Sequence, residues 1–200
     1  MYHKSFWDTR YDDRNYLYGK EPNSFLAENY SILKGPVLSV SEGEGRNAVF
    51  LATKGLDVLG VDISEVGLKK AEELAKSRGV SISTKVADLA TYTPEENYYG
   101  SVISISAHLP STIRNRLYPL IEKSLKPDGL IILEAYSEDQ LSRSTGGPKD
   151  TDMLMTIDKI TSEFSNLETI LLRSTDREIN EGDGHTGLAS VIQFIAKRTT

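Results

Sequence analysis

Strand-like and helix-like segments alternate from residue 36 to residue 164, and this alternation is the feature that most constrains the fold. The strand-like runs, such as 36–40, 101–106 and 130–135, are largely apolar along their length and do not alternate apolar with polar residues. Strands of this kind are buried on both faces, which is typical of a parallel sheet covered by helices on each side. The pattern therefore predicts an α/β fold with right-handed crossovers.

The last two strand-like runs follow a different rule. Residues 167–179 and 188–196 are separated only by the glycine-containing stretch 180–187, which is too short for a crossover helix. An antiparallel hairpin is predicted. If the first of these strands runs parallel to the earlier ones, the hairpin turn lies at the carboxyl edge of the sheet, where open parallel sheets bind ligands.

Composition excludes several classes of function. A chain of 200 residues suits one domain, and a formal net charge of -6 argues against non-specific nucleic-acid binding. The chain has no cysteine, which excludes disulfides, thiolate metal sites and a cysteine nucleophile. No ligand pair has metal-binding spacing, the start MYHKSFWDTR lacks a secretory apolar region, and no apolar run reaches transmembrane length. We therefore expect a cytoplasmic protein with no metal, membrane or nucleic-acid partner; its oligomeric state is not predicted.

The stretch VLSVSEGEGRN at 37–47 joins the first strand to a helix through a glycine-containing turn. Such a turn lets a ligand approach the backbone and the free N–H groups of the helix N-terminus. Nineteen residues after Gly43, Asp62 ends the second strand, where a carboxylate can accept both hydroxyls of an adenosine ribose. Asp88 ends the third strand, where an adenine amino group would lie. The alternatives are that Asp62 caps the next helix and that Asp88 only forms a turn.

Glycine spacing distinguishes two cofactors. A dinucleotide turn, G-x-G-x-x-G, would fall on Ser41, Gly43 and Arg46 and matches once, which disfavours an NAD-dependent oxidoreductase. An S-adenosylmethionine (SAM) turn, E/D-x-G-x-G-x-G, falls on Ser39, Ser41, Gly43 and Gly45, and its last two glycines match. The spacing favours SAM. Ser39 replaces the usual acid at the methionine end, and we expect Ser41 to fit a loop position that needs only a negative φ.

Several segments resemble class I SAM-dependent methyltransferases: SVSEGEGRNAVFLATKG, LGVDISEVGLKKAEELA, VADL, SAHLPSTIR, LKPDGLIILEAY and TGGP. The initial FWDTRYDDRNYLYGKEPNSFL resembles the branch that contains tellurite-resistance (TehB-like) enzymes. The resemblance implies a Rossmann-like, mostly parallel seven-stranded sheet of order 3-2-1-4-5-7-6, with the last strand antiparallel and helices on both faces. It also implies a single domain over 1–200, with an aromatic lid or helix at 1–35 and a SAM-binding core at 36–200.

The implied activity is methyl transfer from SAM, which leaves S-adenosylhomocysteine (SAH), to a small-molecule acceptor such as a thiol or a tellurium or selenium oxyanion. The alternative is a regulatory protein that binds SAM or a nucleoside without catalysis, for which the departures at Ser39 and Ser41 are the only support. The cofactor-binding candidates are Trp7, Arg10, Ser41, Gly43, Glu44, Gly45, Asn47, Asp62, Ile63, Asp88, Leu89 and Ser106.

The N-terminal segment is rich in aromatic residues, namely Tyr2, Phe6, Trp7, Tyr11, Tyr16 and Tyr18. They form either the apolar side of a helix that docks on the sheet or a lid whose rings attract a sulfonium cation. Arg10 can pair with the SAM carboxylate. Arg46, unfavourable beside a helix N-terminus, either has a carboxylate partner near the site or is a solvated surface residue.

Two histidines are predicted to converge on the acceptor side of the cleft. His108 follows the fourth strand, and His185 lies in the hairpin turn, so both belong to the ligand edge. They are the catalytic candidates, with a pH-dependent rate expected between pH 5 and 8, although a lone histidine is also a common structural residue. Tyr136, after the fifth strand, and Arg143 are candidates for the acceptor pocket.

Overall fold

The computed structural model describes residues 3–13, 15–182 and 185–199. Seven strands form one sheet of order β3-β2-β1-β4-β5-β7-β6, as predicted. The strands are β1 (Val37–Val40), β2 (Val58–Asp62), β3 (Ser83–Val86), β4 (Tyr99–Ile105), β5 (Leu125–Tyr136), β6 (Leu167–Glu181) and β7 (His185–Arg198). The helices are α1 (Lys4–Tyr11), α2 (Ser24–Asn29), α3 (Arg46–Thr53), α4 (Glu65–Ser77), α5 (Ser111–Ser124) and α6 (Ile157–Glu163).

The strand directions place the last hairpin beside the ligand edge. Strands β1 to β5 pair in parallel, whereas β7 pairs antiparallel with both β5 and β6. The β6–β7 ladder extends to the pair Glu181 and His185. The predicted antiparallel hairpin is confirmed, and its turn lies at the carboxyl edge because β6 runs in the direction of β1 to β5.

Some element boundaries differ from the sequence pattern. Helix α6 begins at Ile157 and not at residue 152, because the side chain of Thr156 accepts a hydrogen bond from the Lys159 amide and caps it there. Residues Thr151–Met153 form a separate 3-10 turn. Both hairpin strands extend beyond their apolar runs because cross-strand pairing continues through polar residues.

Apolar residues fill both sides of the sheet, with neighbouring strand residues alternating between two cores. On β5, Ile131 and Leu133 pack with α5 and α6, whereas Ile132 packs with α2 and α3 on the other face. This alternation, with both faces covered, explains why the strand sequences are continuously apolar. Within the described ranges, no helix has both the length and the apolar character needed to cross a membrane.

Candidate active site

One cavity of about 350 Å³ opens at the carboxyl ends of the parallel strands. The turn after β1, the ends of β2 and β4, helix α1 and the β6–β7 hairpin all contribute to its wall. Most of the predicted site residues line it: Trp7, Arg10, Ser41, Gly43, Glu44, Asn47, Asp62, Ile63, Asp88, Leu89, Ser106, His108 and His185. Residues from distant parts of the chain are thus brought together at the edge that strand direction predicts.

Three predicted site residues are not part of this lining. Gly45 packs α3 against α4, since a Cβ at this position would lie 2.6 Å from the Cα of Ala71. Tyr136 contacts both histidine rings, and its hydroxyl donates to the carbonyl of Thr145 at 3.2 Å. Arg143 is held by Ser190 and Asp176 on the hairpin strands, because its guanidinium donates to Ser190 Oγ at 2.8 Å and to Asp176 Oδ2 at 2.6 Å.

The turn after β1 is held by Asp62. The amide of Gly43 donates to Asp62 Oδ2 at 2.9 Å, and the amide of Ser64 donates to Oδ1 at 2.8 Å. Burial raises the pKa of Asp62, and these backbone hydrogen bonds oppose the rise. Asp62 therefore anchors the turn and the start of α4, as in the capping alternative. A carboxylate has about four acceptor positions on its two oxygens, so Asp62 can still accept from a ribose hydroxyl.

The backbone conformation of Ser41 differs from the one expected from the sequence. Its φ is 54°, in the left-handed region, and not negative as the sequence reasoning assumed. A glycine adopts this conformation at little cost, whereas a residue with a Cβ does not. The first glycine position of the motif thus keeps its backbone geometry despite the substitution, and the turn stores some backbone strain at the cavity wall.

Glu42 is a cavity residue that the sequence reasoning missed. The Ser39 hydroxyl donates to Glu42 Oε2, and the amide of Ala48 donates to Oε1 at 2.9 Å. Burial raises the pKa of Glu42 to about 7. The available signal was an acid inside the glycine turn, three residues after the position where the motif expects one.

The N-terminal segment docks on α4 and on the turn, as the helix alternative predicts. Asp8 Oδ1 accepts from the Ser64 hydroxyl at 2.7 Å, at the N-terminus of α4. Tyr11 is buried, and its ring stacks on that of Trp7 with centroids 5.6 Å apart. The Tyr11 ring also packs on the turn, because a Cβ added at Gly43 would lie 2.7 Å from the Tyr11 hydroxyl. Phe6, Trp7, Arg10, Tyr11 and Tyr18 also form part of the cavity wall, whereas Tyr2 lies outside the described residues. Docking and covering the cavity are therefore compatible.

The two histidines lie on either side of Tyr136. His108 stacks on the Tyr136 ring at a centroid distance of 5.1 Å and an interplanar angle of 2°, and His185 contacts the same ring edge-on at 5.3 Å. Neither His108 ring nitrogen has a hydrogen-bond partner in the described part of the chain. Burial of these nitrogens, with a smaller contribution from His185, lowers the pKa of His108 to about 3. His108 is therefore neutral between pH 5 and 8, contrary to the titration expected from sequence.

A buried charge cluster lies beside His185. Arg46 donates to Glu181 Oε2 at 2.8 Å, with both side chains about 8% exposed. Glu181 Oε1 also accepts from Arg177 at 3.1 Å and from Asn23 at 3.0 Å. Burial opposes ionisation of Glu181, but contact with His185 and the Arg46 and Arg177 charges hold its pKa well below the usual range. The interpretation that Arg46 has a carboxylate partner near the site is confirmed.

A family model described as a methyltransferase domain matches residues 37–129, the stretch that carries the turn, Asp62 and His108. The stretch is therefore similar to methyltransferase domains. It is similar to ribosomal protein L11 methyltransferase of Caldicellulosiruptor bescii, at 38% identity over 109 residues that cover 52% of this chain and 33% of that protein. It is also similar to the 2-heptyl-1-hydroxyquinolin-4(1H)-one methyltransferase of Mycobacteroides abscessus, at 24% identity over 57% of this chain and 52% of that protein. The chain thus spans between one third and about half of these curated relatives.

Solved structures establish the fold of the methyltransferase domain and its flanking segments. TehB from Haemophilus influenzae superposes with a TM-score of 0.72 at 15% identity, covering 98% of this chain and 67% of that one. A protein solved in a study of disulfide-to-thioacetal conversion in echinomycin biosynthesis superposes with a TM-score of 0.78 at 16% identity, covering 98% of this chain and 92% of that one. A SAM-dependent methyltransferase from Methanosarcina mazei superposes with a TM-score of 0.68 at 18% identity, covering 87% of this chain and 97% of that one. The class I SAM-dependent methyltransferase fold is therefore confirmed, and SAM, with SAH as its product, is the cofactor of this class.

Proposed function

We propose that the protein transfers the methyl group of SAM to a small-molecule acceptor. The observation that carries this proposal is that residues of the SAM-type turn and both histidines line the same cavity. Asp62 would hold the ribose, and Ile63, Asp88 and Leu89, which line the same cavity, would contact the adenine. This arrangement fits SAM because a buried carboxylate with free lone pairs ends β2, where the ribose of a nucleoside would lie.

The acceptor would occupy the end of the cavity beside His108 and His185. A volume of about 350 Å³ is near the lower end of the range for ligand pockets, and this favours a small acceptor once SAM is bound. A thiolate or a tellurium or selenium oxyanion is a soft nucleophile that would attack the methyl carbon in line as the bond from that carbon to the SAM sulfur breaks, leaving SAH. A thiol acceptor would first lose its proton to solvent. A His108 that stays neutral suits this chemistry as a hydrogen-bonding group. The likeness in fold to TehB supports the same choice.

The N-terminal segment would act as a cover for the reacting groups. Phe6, Trp7 and Tyr11 border the cavity, and aromatic faces attract a sulfonium cation. With α1 docked on α4, these rings keep water away from the methyl group, so that the main task of the protein is positioning and desolvation. Arg10 lies on the same wall and offers a partner for the SAM carboxylate.

Calorimetry with SAM, SAH and NAD tests the cofactor assignment, and a SAM-consumption assay across thiols and tellurium and selenium oxyanions tests the activity. SAM and SAH are expected to bind and NAD is not. Binding of NAD without SAM would overturn the proposal. Binding of SAM with no turnover on any acceptor would instead favour the non-catalytic alternative.

Asp62→Ala should weaken SAM binding by about 1–3 kcal/mol, because two ribose hydroxyls lose an ionised acceptor. Asp62→Asn keeps the shape and one acceptor oxygen, so its loss should be smaller. Since Asp62 also anchors the turn, thermal unfolding of both variants without ligand gives the control. A wild-type SAM affinity in Asp62→Ala would exclude the ribose assignment.

His108→Ala and His185→Ala should each lower the methyl-transfer rate by about tenfold, because each removes a hydrogen-bonding group worth roughly 1 kcal/mol at the acceptor. SAM affinity should stay within about twofold of wild type, because the imidazoles face the acceptor end. Single-turnover rates at saturating SAM, together with calorimetric SAM affinities, make the comparison. Equal losses of rate and SAM affinity would remove either residue from the acceptor site.

A further inference from the structure

We propose that Glu42 supplies the acid that the motif lacks at position 39, and that its charge favours the cationic donor SAM over the uncharged sulfur of SAH. The inference rests on the proposed function, because it assumes that SAM occupies the cavity. It assigns a cofactor-recognition role to a residue of the turn that lies outside the motif positions.

The geometry shows that Glu42 occupies the space of the missing side chain. Ser39, which stands at the acid position, donates its hydroxyl hydrogen bond directly to Glu42 Oε2. A carboxylate extending from position 39 would project to the same place. The Glu42 side chain is folded back against β2, since a Cβ on Gly60 would lie 3.1 Å from its Cγ. The side chain is therefore fixed beneath the turn and does not extend into solvent.

Glu42 also completes the start of α3. The N-cap of this helix is Gly45, which has no side chain with which to cap the free amides. Glu42 Oε1 accepts from the amide of Ala48 at 2.9 Å and so takes over the capping role. One carboxylate thus links β1, the turn and α3, and Glu42 lines the cavity as well.

The charges around Glu42 leave it sensitive to a bound cation. The charged groups that face it are Arg46 on α3, which favours its ionised form, and Asp62 on β2, which opposes it. With its pKa raised to about 7 by burial, Glu42 without ligand is only partly ionised at neutral pH. The sulfonium of SAM adds a positive charge to the cavity, whereas the thioether of SAH does not. SAM therefore gains affinity as Glu42 ionises, and SAH gains less.

The test is calorimetry of SAM and SAH between pH 6 and pH 8, analysed as the ratio of their affinities. SAM and SAH differ in the titration of their own amino groups, but this difference is the same with every variant and cancels when a variant is compared with wild type. Relative to Glu42→Gln, the preference of the wild type for SAM should rise with pH through about 7, by on the order of tenfold. The exposed Glu28→Gln is the control that should behave like wild type.

Two further variants keep the test decisive if Glu42→Gln does not fold. Ser39→Ala removes the hydroxyl donor that stabilises the ionised carboxylate, so the pH midpoint of the SAM preference should move upward. Ser39→Asp combined with Glu42→Gln returns the acid to the motif position and should restore the preference. The same pH dependence of the ratio in wild type and in Glu42→Gln, equal losses of SAM and SAH affinity in Glu42→Gln, or an unmoved midpoint in Ser39→Ala would each overturn the inference. Failure of wild type to bind SAM would instead overturn the proposed function.

Discussion

Gly45→Ala is expected to lower the free energy of unfolding by about 3 kcal/mol, the sum of two separate costs. The residue has a φ of 93°, where a side chain strains the backbone by about 1–2 kcal/mol. The new Cβ would also lie 2.6 Å from both the Cα and the Cβ of Ala71, so α3 and α4 must move apart. Urea unfolding followed by circular dichroism measures the loss.

Gly55→Ala separates the two costs. Gly55 has a similar φ of 83°, but nothing lies within 4 Å of the position of its added Cβ. This control should therefore lose only the backbone contribution, about 1–2 kcal/mol. If the two variants were equally destabilised, the helix contact at Gly45 would not matter, and the glycine would serve the turn conformation alone.

Arg46→Leu is expected to destabilise the protein by about 3–5 kcal/mol, the usual result of breaking a buried ion pair by removing one partner. The substitution leaves Glu181 buried with Arg177 and Asn23 but without its 2.8 Å partner on α3. The loss of stability should be smaller at low pH. Without Arg46 the pKa of Glu181 rises in the variant, so the buried carboxylate is neutralised there as the pH falls. The free energy of unfolding at pH 7 and at pH 4 gives both quantities.

Arg78→Leu is the matched control for this ion pair. Arg78 pairs with Glu21 at 2.7 Å, but the two side chains are 45% and 79% exposed. Exposed pairs contribute less than about 1 kcal/mol, so this variant should unfold nearly like wild type. Comparable losses in Arg46→Leu and Arg78→Leu would show that burial does not determine the contribution of Arg46.

The parallel sheet, the antiparallel hairpin and the ligand edge could be predicted because they depend on local signals, namely apolar runs and the short 180–187 connection. The strand order was implied only by the resemblance to class I methyltransferases. The left-handed Ser41 could not be predicted, because its conformation is imposed by the turn around it and a serine there carries no such signal. Arg143 lies after β5, which ends at the ligand edge, yet its side chain donates to Ser190 and Asp176 on the hairpin strands and not to the cavity.

Glu42 and the neutral His108 were missed for a related reason. Their properties depend on burial and on neighbours far along the chain, such as Gly60 for Glu42 and His185 for His108. A sequence pattern identifies which residues reach an edge of the sheet. The pattern does not identify which ring nitrogens or carboxylates are buried away from water in the folded protein.

The pairing of Arg46 with Glu181 makes the order of synthesis relevant to this protein. During translation, α3 emerges from the ribosome long before the end of β6, which carries the carboxylate partner of Arg46. Until then the arginine has to remain hydrated, and the segment that carries it is not in its final packed state. The cavity also lacks the His185 wall at that stage. Completion of the cavity wall is therefore coupled to completion of the final hairpin, so that truncated translation products are left without a finished cavity.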